Sequence, residues 1–231
     1  MRFNAVIVAA GEGKRMGSDV PKPLIVLAGR PLILHTLERF ASSQVRRVIL
    51  VVPDEQRTDF ERLVANDRDL KRLECVLEPG GPRRQDSVRC GLNRLDSDCE
   101  VAVIHDGARP FVSPGIIDRC VEFALKEGAA VVGVPVKDTI KVVSPSRHVE
   151  STPNRDSLWE IHTPQAFRVE IIREAHRRAE LDGIEATDDA MLVERIGKNV
   201  TLLEDERSNI KITTPEDLLL AEALLRERRV V

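Results

Sequence analysis

Short unbroken runs of aliphatic and β-branched residues recur along the chain, at 4–10 (NAVIVAA), 48–52 (VILVV), 101–105 (VAVIH) and 130–134 (AVVGV), with a weaker run at 73–77. Runs without polar alternation predict strands covered on both faces. Between them, segments 31–42, 55–66, 87–95 and 114–127 predict helices. The first carries Leu32, Leu34, Leu37 and Phe40 at helical spacing, the second Phe60, Leu63 and Val64. Strand–helix–strand alternation predicts parallel strands joined by right-handed crossovers. Residues 1–135 therefore read as a three-layer, doubly wound α/β fold around a mostly parallel sheet, Rossmann-like in outline.

The rhythm breaks at 136–159 (VKDTIKVVSPSRHVESTPNRDSLW), which is polar and carries no face for a core of its own. It predicts an extended β-arm, a hairpin and not a crossover helix. An arm of this kind should pack on something else, and a second copy of the chain is one option. Helical spacing returns at 169–181 and 188–196, and a late strand at 200–204 leads to 209–212. The closing helix, 215–228, has Thr214 as N-cap, Pro215 in its first position and acids in its first turn. The chain reads as one domain over 1–231, with 136–159 protruding.

Composition narrows the function classes. Hydrophobic residues at 42% and charged residues at 32% make an ordinary globular mixture, which excludes disorder. Six Phe, one Trp and no Tyr leave an aliphatic core and few faces on which bases could stack. With 35 Lys and Arg against 38 Asp and Glu the net charge is -3, the wrong sign for a general nucleic-acid binder. No apolar run approaches a membrane span, and the N-terminal run is too short for a secretion leader. Cys75, Cys90, Cys99 and Cys120 are widely spaced and suit reduced thiols filling the core of a cytoplasmic protein. The five His (His35, His105, His148, His162, His176) lack metal-type spacing and read as structural.

The strongest chemical signal is Ala9-Ala10-Gly11-Glu12-Gly13-Lys14-Arg15-Met16-Gly17, followed by Pro21-Lys22-Pro23. It follows the first strand, at the edge where α/β sheets bind ligands. Gly11, Gly13 and Gly17 let backbone amides approach a phosphate, while Lys14, Arg15 and Lys22 add positive charge. No G-x-x-x-x-G-K-[ST] string exists, and the third glycine is one residue late for a dinucleotide fingerprint. A triphosphate site of another kind is expected. Asp106, at the end of the fourth strand, reads either as a metal, ribose or substrate contact or as a cap on the amides of residues 107–109. Ser87 reads either as a base contact or as the N-cap of the next helix.

The loop resembles the A-A-G-x-G-x-R-M…P-K pattern of nucleotidyltransferases that activate sugar and polyol phosphates. Four more segments resemble one branch of that group: His105-Asp106-Gly107-Ala108-Arg109-Pro110, Pro135-Val136-Lys137-Asp138-Thr139-Ile140-Lys141, Thr163-Pro164-Gln165-Ala166-Phe167 and Asn209-Ile210-Lys211-Ile212-Thr213-Thr214-Pro215-Glu216-Asp217. In order and over nearly the whole chain, they resemble the family that cytidylylates methylerythritol phosphate in the non-mevalonate route to isoprenoids.

That resemblance implies CMP transfer from CTP to 2-C-methyl-D-erythritol 4-phosphate, with Mg²⁺ at the triphosphate. It implies that Arg15, Lys22 and Lys211 are the catalytic cations. CTP would lie against Ala9, Ala10, Gly11, Gly13, Gly81, Ser87 and Asp106, and Asp106 would touch the metal. Arg109, Thr139, Arg155, Thr163 and Thr187 would bind the second substrate, Arg155 pairing with its phosphate. It also implies a homodimer whose arms reach across a two-fold axis. A ribitol-phosphate cytidylyltransferase shares most of these motifs, and a non-catalytic CTP-binding module is a rival of another class. Such a module has no need of three cations together.

Overall fold

The computed structural model describes residues 2–11 and 22–230. Eleven strands and seven α-helices follow one another within those residues. They are β1 (Arg2–Val8), β2 (Val26–Leu27), β3 (Arg30–Pro31), α1 (Leu32–Ala41), β4 (Arg47–Val52), α2 (Arg57–Ala65), β5 (Glu74–Pro79), α3 (Arg84–Leu92), β6 (Cys99–Asp106), α4 (Pro114–Glu127) and β7 (Ala129–Pro135). The second half adds β8 (Val142–Val143), β9 (Val149–Ser151), β10 (Trp159–Arg168), α5 (Val169–Leu181), α6 (Asp189–Arg195), β11 (Thr201–Glu204) and α7 (Pro215–Val230).

Seven strands form one sheet in the order β11-β7-β10-β6-β1-β4-β5. β6, β1, β4 and β5 are parallel, as are β11 and β7, whereas β10 runs antiparallel to both β6 and β7. The unbroken apolar runs are buried on both sides, as expected. Val48, Leu50 and Val52 face a core with Leu37, Phe40, Phe60 and Ile117 of α1, α2 and α4. Ile49 and Val51 face the opposite core, with Val88 and Leu92 of α3 and Ile172 and Leu192 of α5 and α6. α7 closes a third cluster with Leu27, Leu32 and Phe111.

Local chemistry sets several ends. Ser113 Oγ accepts from the amide of Ile116 (3.2 Å), Pro114 opens α4, and Gly128 at φ +96° closes it. At α7 the Asp217 carboxylate accepts from the amides of Thr213 (2.6 Å) and Thr214 (2.8 Å), while the Asp217 amide donates to Thr214 Oγ1. This is a reciprocal capping box, with Thr214 the N-cap.

Two expectations need correction. The third helix begins at Arg84 and not at 87, so Ser87 lies inside its first turn and is not the N-cap. Strand β10 was not legible as a strand, although it pairs with two neighbours and residues 163–167 are buried. Pro164 and three polar neighbours disguise it. The ladder to β7 skips from His162 to Gln165, so Pro164, which has no donor, sits in an irregularity where none is needed.

Most of segment 136–158 is exposed. β8 and β9 pair as a two-stranded antiparallel hairpin, and Ile140, Val142, Val143 and Val149 are exposed, Val149 to 60%.

Candidate active site

The carboxyl ends of β1, β4, β5 and β6 lie at one sheet edge, and their loops are stitched together there. The Ala9 amide donates to the Val51 carbonyl (2.7 Å), that of Gly80 to Val52 (2.9 Å), and that of Gly107 to Val8 (2.9 Å). A Cβ on Gly80 would stand 2.4 Å from the Ala10 Cβ, so only glycine lets these two loops close up. Ser87 Oγ, buried in α3, accepts from the Gly81 amide (3.1 Å) and donates to the Gly81 carbonyl (3.3 Å). It shapes the Gly80–Gly81 turn from inside the helix.

Asp106, the last residue of β6, is the electrostatic centre of this edge. Its Oδ1 accepts from Arg84 Nε (3.1 Å), its Oδ2 lies 2.8 Å from Lys211 Nζ, and Arg109 Nε stands 3.6 Å from Oδ2. Burial alone would raise the pKa of this carboxyl. The charges of Arg84 and Lys211 outweigh that and hold it well below the usual carboxylate range. The carboxylate therefore meets three cations and is not a cap on the 107–109 amides. The Arg109 amide turns instead to the Asp106 main-chain carbonyl (3.0 Å).

The neighbouring network fixes protons as well as charges. Thr163 Oγ1 accepts from the Asp106 amide (3.1 Å) and lies 3.0 Å from His105 Nδ1. His105 Nε2 lies 3.1 Å from the Arg109 carbonyl oxygen, which can only accept. Nε2 thus carries the hydrogen, and Nδ1 accepts from the Thr163 hydroxyl. Complete burial beside Phe40 (ring centroids 5.1 Å apart) pushes the His105 pKa down to about 4, so the imidazole stays neutral. On the far side, Asn209 Nδ2 donates to the Thr163 carbonyl (2.9 Å) and to Asp205 (2.7 Å), and Asp205 pairs with His162 (2.9 Å). The Asn209 carbonyl in turn accepts from Arg109 Nη1 (2.7 Å). The N-I-K segment is thereby anchored so that Lys211 reaches Asp106.

Beside this group opens a cleft of about 320 Å³, lined among others by Arg109, Arg207, Lys211, His162 and Glu160. Three of these residues are cations. Of those at the carboxylate, Lys211 is the most exposed, its side chain 39% accessible against 29% for Arg84 and 10% for Arg109.

The expected site residues fall into three groups. Asp106, Arg109, Thr163 and Lys211 meet in one network, with Ala9, Ala10 and Gly81 on the neighbouring loops of the same edge and Ser87 bonded to Gly81 from the first turn of α3. Gly11 is exposed, with open space where a Cβ would stand. Thr187 is exposed in the turn before α6, and Thr139 and Arg155 are exposed on the arm, where Arg155 Nη1 donates to the Lys137 carbonyl (3.1 Å). Gly13, Arg15 and the side chain of Lys22 lie outside the described residues. Sequence reasoning missed Arg84, which stands between Gly81 and Ser87 but binds partners 22 and 105 positions away.

Among the described residues no group of three His, Cys, Asp or Glu could hold a metal. A single charged carboxylate on a ligand-binding edge fits a different arrangement, a hard cation carried by phosphate oxygens and water with one protein oxygen. All four cysteines are free thiols, and among the described residues no helix is long and apolar enough to cross a membrane.

A family model described as 2-C-methyl-D-erythritol 4-phosphate cytidylyltransferase matches residues 3–227. The chain is 47% identical over 229 residues to the protein of that name from Geobacillus kaustophilus, covering 99% of each. Among solved structures, 4-diphosphocytidyl-2C-methyl-D-erythritol synthase from Anaerococcus prevotii superposes with TM-score 0.86 at 30% identity, covering 97% of this chain and 96% of that one. The 2-C-methyl-D-erythritol 4-phosphate cytidylyltransferase of Thermus thermophilus superposes with TM-score 0.79 at 36% identity, covering 98% and 100%.

Proposed function

The chain belongs to the 2-C-methyl-D-erythritol 4-phosphate cytidylyltransferase family, and from that premise we propose that it transfers CMP from CTP to 2-C-methyl-D-erythritol 4-phosphate, a step of isoprenoid-precursor synthesis. A phosphate-monoester oxygen of the second substrate attacks the α-phosphorus of CTP in line. One P–O bond forms, the bond to the pyrophosphate breaks, and pyrophosphate leaves with its charge. The nucleophile is already ionised near neutral pH, so no general base is needed, and catalysis consists of alignment and charge stabilisation. The observation that carries this reading is the ionised Asp106 held among Arg84, Arg109 and Lys211 on the ligand-binding edge.

Each residue has a definable task. Lys211 rests on Asp106 and is the most exposed of the three cations. An arriving triphosphate offers it a second anionic partner, and its transfer there uncovers one Asp106 oxygen. A divalent cation, which we take to be Mg²⁺, neutralises triphosphate charge when bound, with Asp106 the protein oxygen it meets. Arg15 and Lys22 hold the α-phosphate and the departing pyrophosphate. The Gly81 backbone and Ser87 border the cytosine, and Ala9, Ala10, Gly11 and Gly13 border the nucleotide at the end of β1. The cationic cleft beside Lys211, lined by Arg109, receives the anionic second substrate, and Thr163 and Thr187 add contacts to it.

We further propose a cytoplasmic homodimer. Exposed Ile140, Val142, Val143 and Val149 on a hairpin with no core would be covered by a second chain. Thr139 and Arg155 of one arm would then complete the other chain's site. Pyrophosphate release tests the reaction. Incubation with CTP, Mg²⁺ and methylerythritol phosphate should release pyrophosphate, and ribitol 5-phosphate should be a poor substitute. No release with methylerythritol phosphate refutes the assignment, and faster release with ribitol phosphate moves the chain to the sibling activity.

A further inference from the structure

The mechanism above uses Asp106 but leaves unexplained what holds its other side. Arg84 occupies the first position of α3 and bridges two buried carboxylates. Its Nε donates to Asp106 (3.1 Å) and its Nη1 donates to Asp189 Oδ2 (2.8 Å). Asp189, only 1% exposed at the start of α6, accepts in turn from His176 Nε2 of α5 (3.0 Å). The chain Asp106–Arg84–Asp189–His176 thus runs from the sheet edge through the helix layer on that face. A parallel tie lies one residue along α3. Gln85 Nε2 donates to the Ile184 carbonyl (3.1 Å) and its Oε1 accepts from the Ala186 amide (3.0 Å), beside Thr187.

We propose that Arg84 is a positioning residue of the reaction, holding the Asp106 carboxylate while Asp189 and His176 hold Arg84. Fully burying Asp189 costs stability unless it is paired, and buried ion pairs seldom repay more than an apolar replacement would. Stability alone is a poor reason to build one into the wall of a ligand site. A guanidinium can serve two carboxylates at once in a fixed plane, which an ammonium cannot. With Arg84 on Oδ1, the Asp106 carboxylate keeps its plane when Lys211 moves off Oδ2 to the triphosphate. This proposal rests on the reaction assigned above.

The test is steady-state kinetics with thermal melting on Arg84→Lys and Asp189→Asn. Arg84→Lys keeps the charge and loses the fork, and should lower kcat by on the order of 10²-fold while raising KM for CTP by a smaller factor. Asp189→Asn keeps shape, leaves Arg84 in place and should lower kcat in the same sense. It decides the matter should the Arg84 variant fail to fold. Millimolar guanidinium should restore part of the kcat lost in Arg84→Gly, which a merely structural role would not produce. Folded Arg84→Lys and Asp189→Asn chains with kcat within twofold of the parent overturn the proposal. An inactive parent would count against the assigned reaction instead. The clamp is then read from CTP affinity by calorimetry, which Asp189→Asn must weaken, and unchanged affinity overturns it.

Discussion

The sheet edge and the arm both carry residues assigned to the same reaction, yet they are built on opposite principles. At the edge, Asp106, Arg109, Thr163 and Asn209 are buried and locked by bonds that fix charge, tautomer and direction. On the arm, Thr139 and Arg155 are exposed, and the hairpin's valines face water. Among the described residues the edge is knit together within one chain. Thr139 and Arg155 on the segment 136–158 face solvent, so on the proposed reading their contribution depends on what covers them. On that reading electrostatic preorganisation would belong to the first region and substrate capture to the second.

The largest expected effect belongs to the edge. Lys22→Ala should lower turnover by on the order of 10²-fold or more, as expected for losing a charge contact in the transition state. Stopped-flow or steady-state rates would check it, and a change confined to KM contradicts the role.

Next in size is a pH effect on stability, also confined to the edge. His105 is neutral in the fold with its pKa near 4, against about 6.5 in an unfolded chain. Between those values the unfolded chain takes up a proton that the folded chain refuses, so the His105 contribution to stability falls as pH drops from 6.5 to 4 and levels off below. The shift corresponds to roughly 3 kcal/mol at most. Burial lowers His35 too, and it adds in the same direction. Urea unfolding at pH 7 and pH 4.5 should show the loss, and His105→Gln should flatten it. Asp106 is held well below the usual range and stays charged in the fold, while its unfolded counterpart begins to take up a proton near pH 4, so it adds little above pH 5 and a further loss of stability in the same direction below that.

Arg155→Ala sharpens the comparison from the other side. It should raise KM for methylerythritol phosphate roughly tenfold, the scale of one charge-assisted pair. Its thermal midpoint should not move, because the side chain is exposed. A lowered midpoint would place Arg155 in the fold's own support. The smallest effect is expected from Ser87→Ala. Losing its bonds to Gly81 should cost about 1 kcal/mol of stability by urea titration and weaken CTP binding modestly.

What was legible in the chain follows the same division. Helices α4 and α5 have the predicted bounds, because local signals suffice: Ser113, Pro114 and Gly128 for α4, helical spacing for α5. Asp106 and the N-I-K segment could be singled out because loop chemistry is written in contiguous residues, and the structure brings the two together. β10 was hidden because a central strand carrying Pro164, Thr163 and Gln165 contradicts the apolar rule for buried strands, its polar side chains being satisfied by Asp106, His105 and Asp188. Arg84 was hidden for a related reason. Its meaning lies in partners far away in sequence, and no spacing rule reports a contact 105 positions apart. The N-cap option for Ser87 falls away because the helix starts three residues earlier than its apolar spacing suggests.

The central claim is that one chain's rigid edge works with another chain's arm, and mixing tests it most directly. Chains carrying Lys22→Ala and chains carrying Arg155→Ala are each expected to be nearly inactive at low substrate. Co-refolded in equal amounts, they should form mixed dimers in which one site has an intact edge and an intact arm. The account predicts recovery of about a quarter of the parent activity, one good site in each of half the dimers. Activity no higher than that of the separate variants would contradict it, since that is what arms serving their own chain would give.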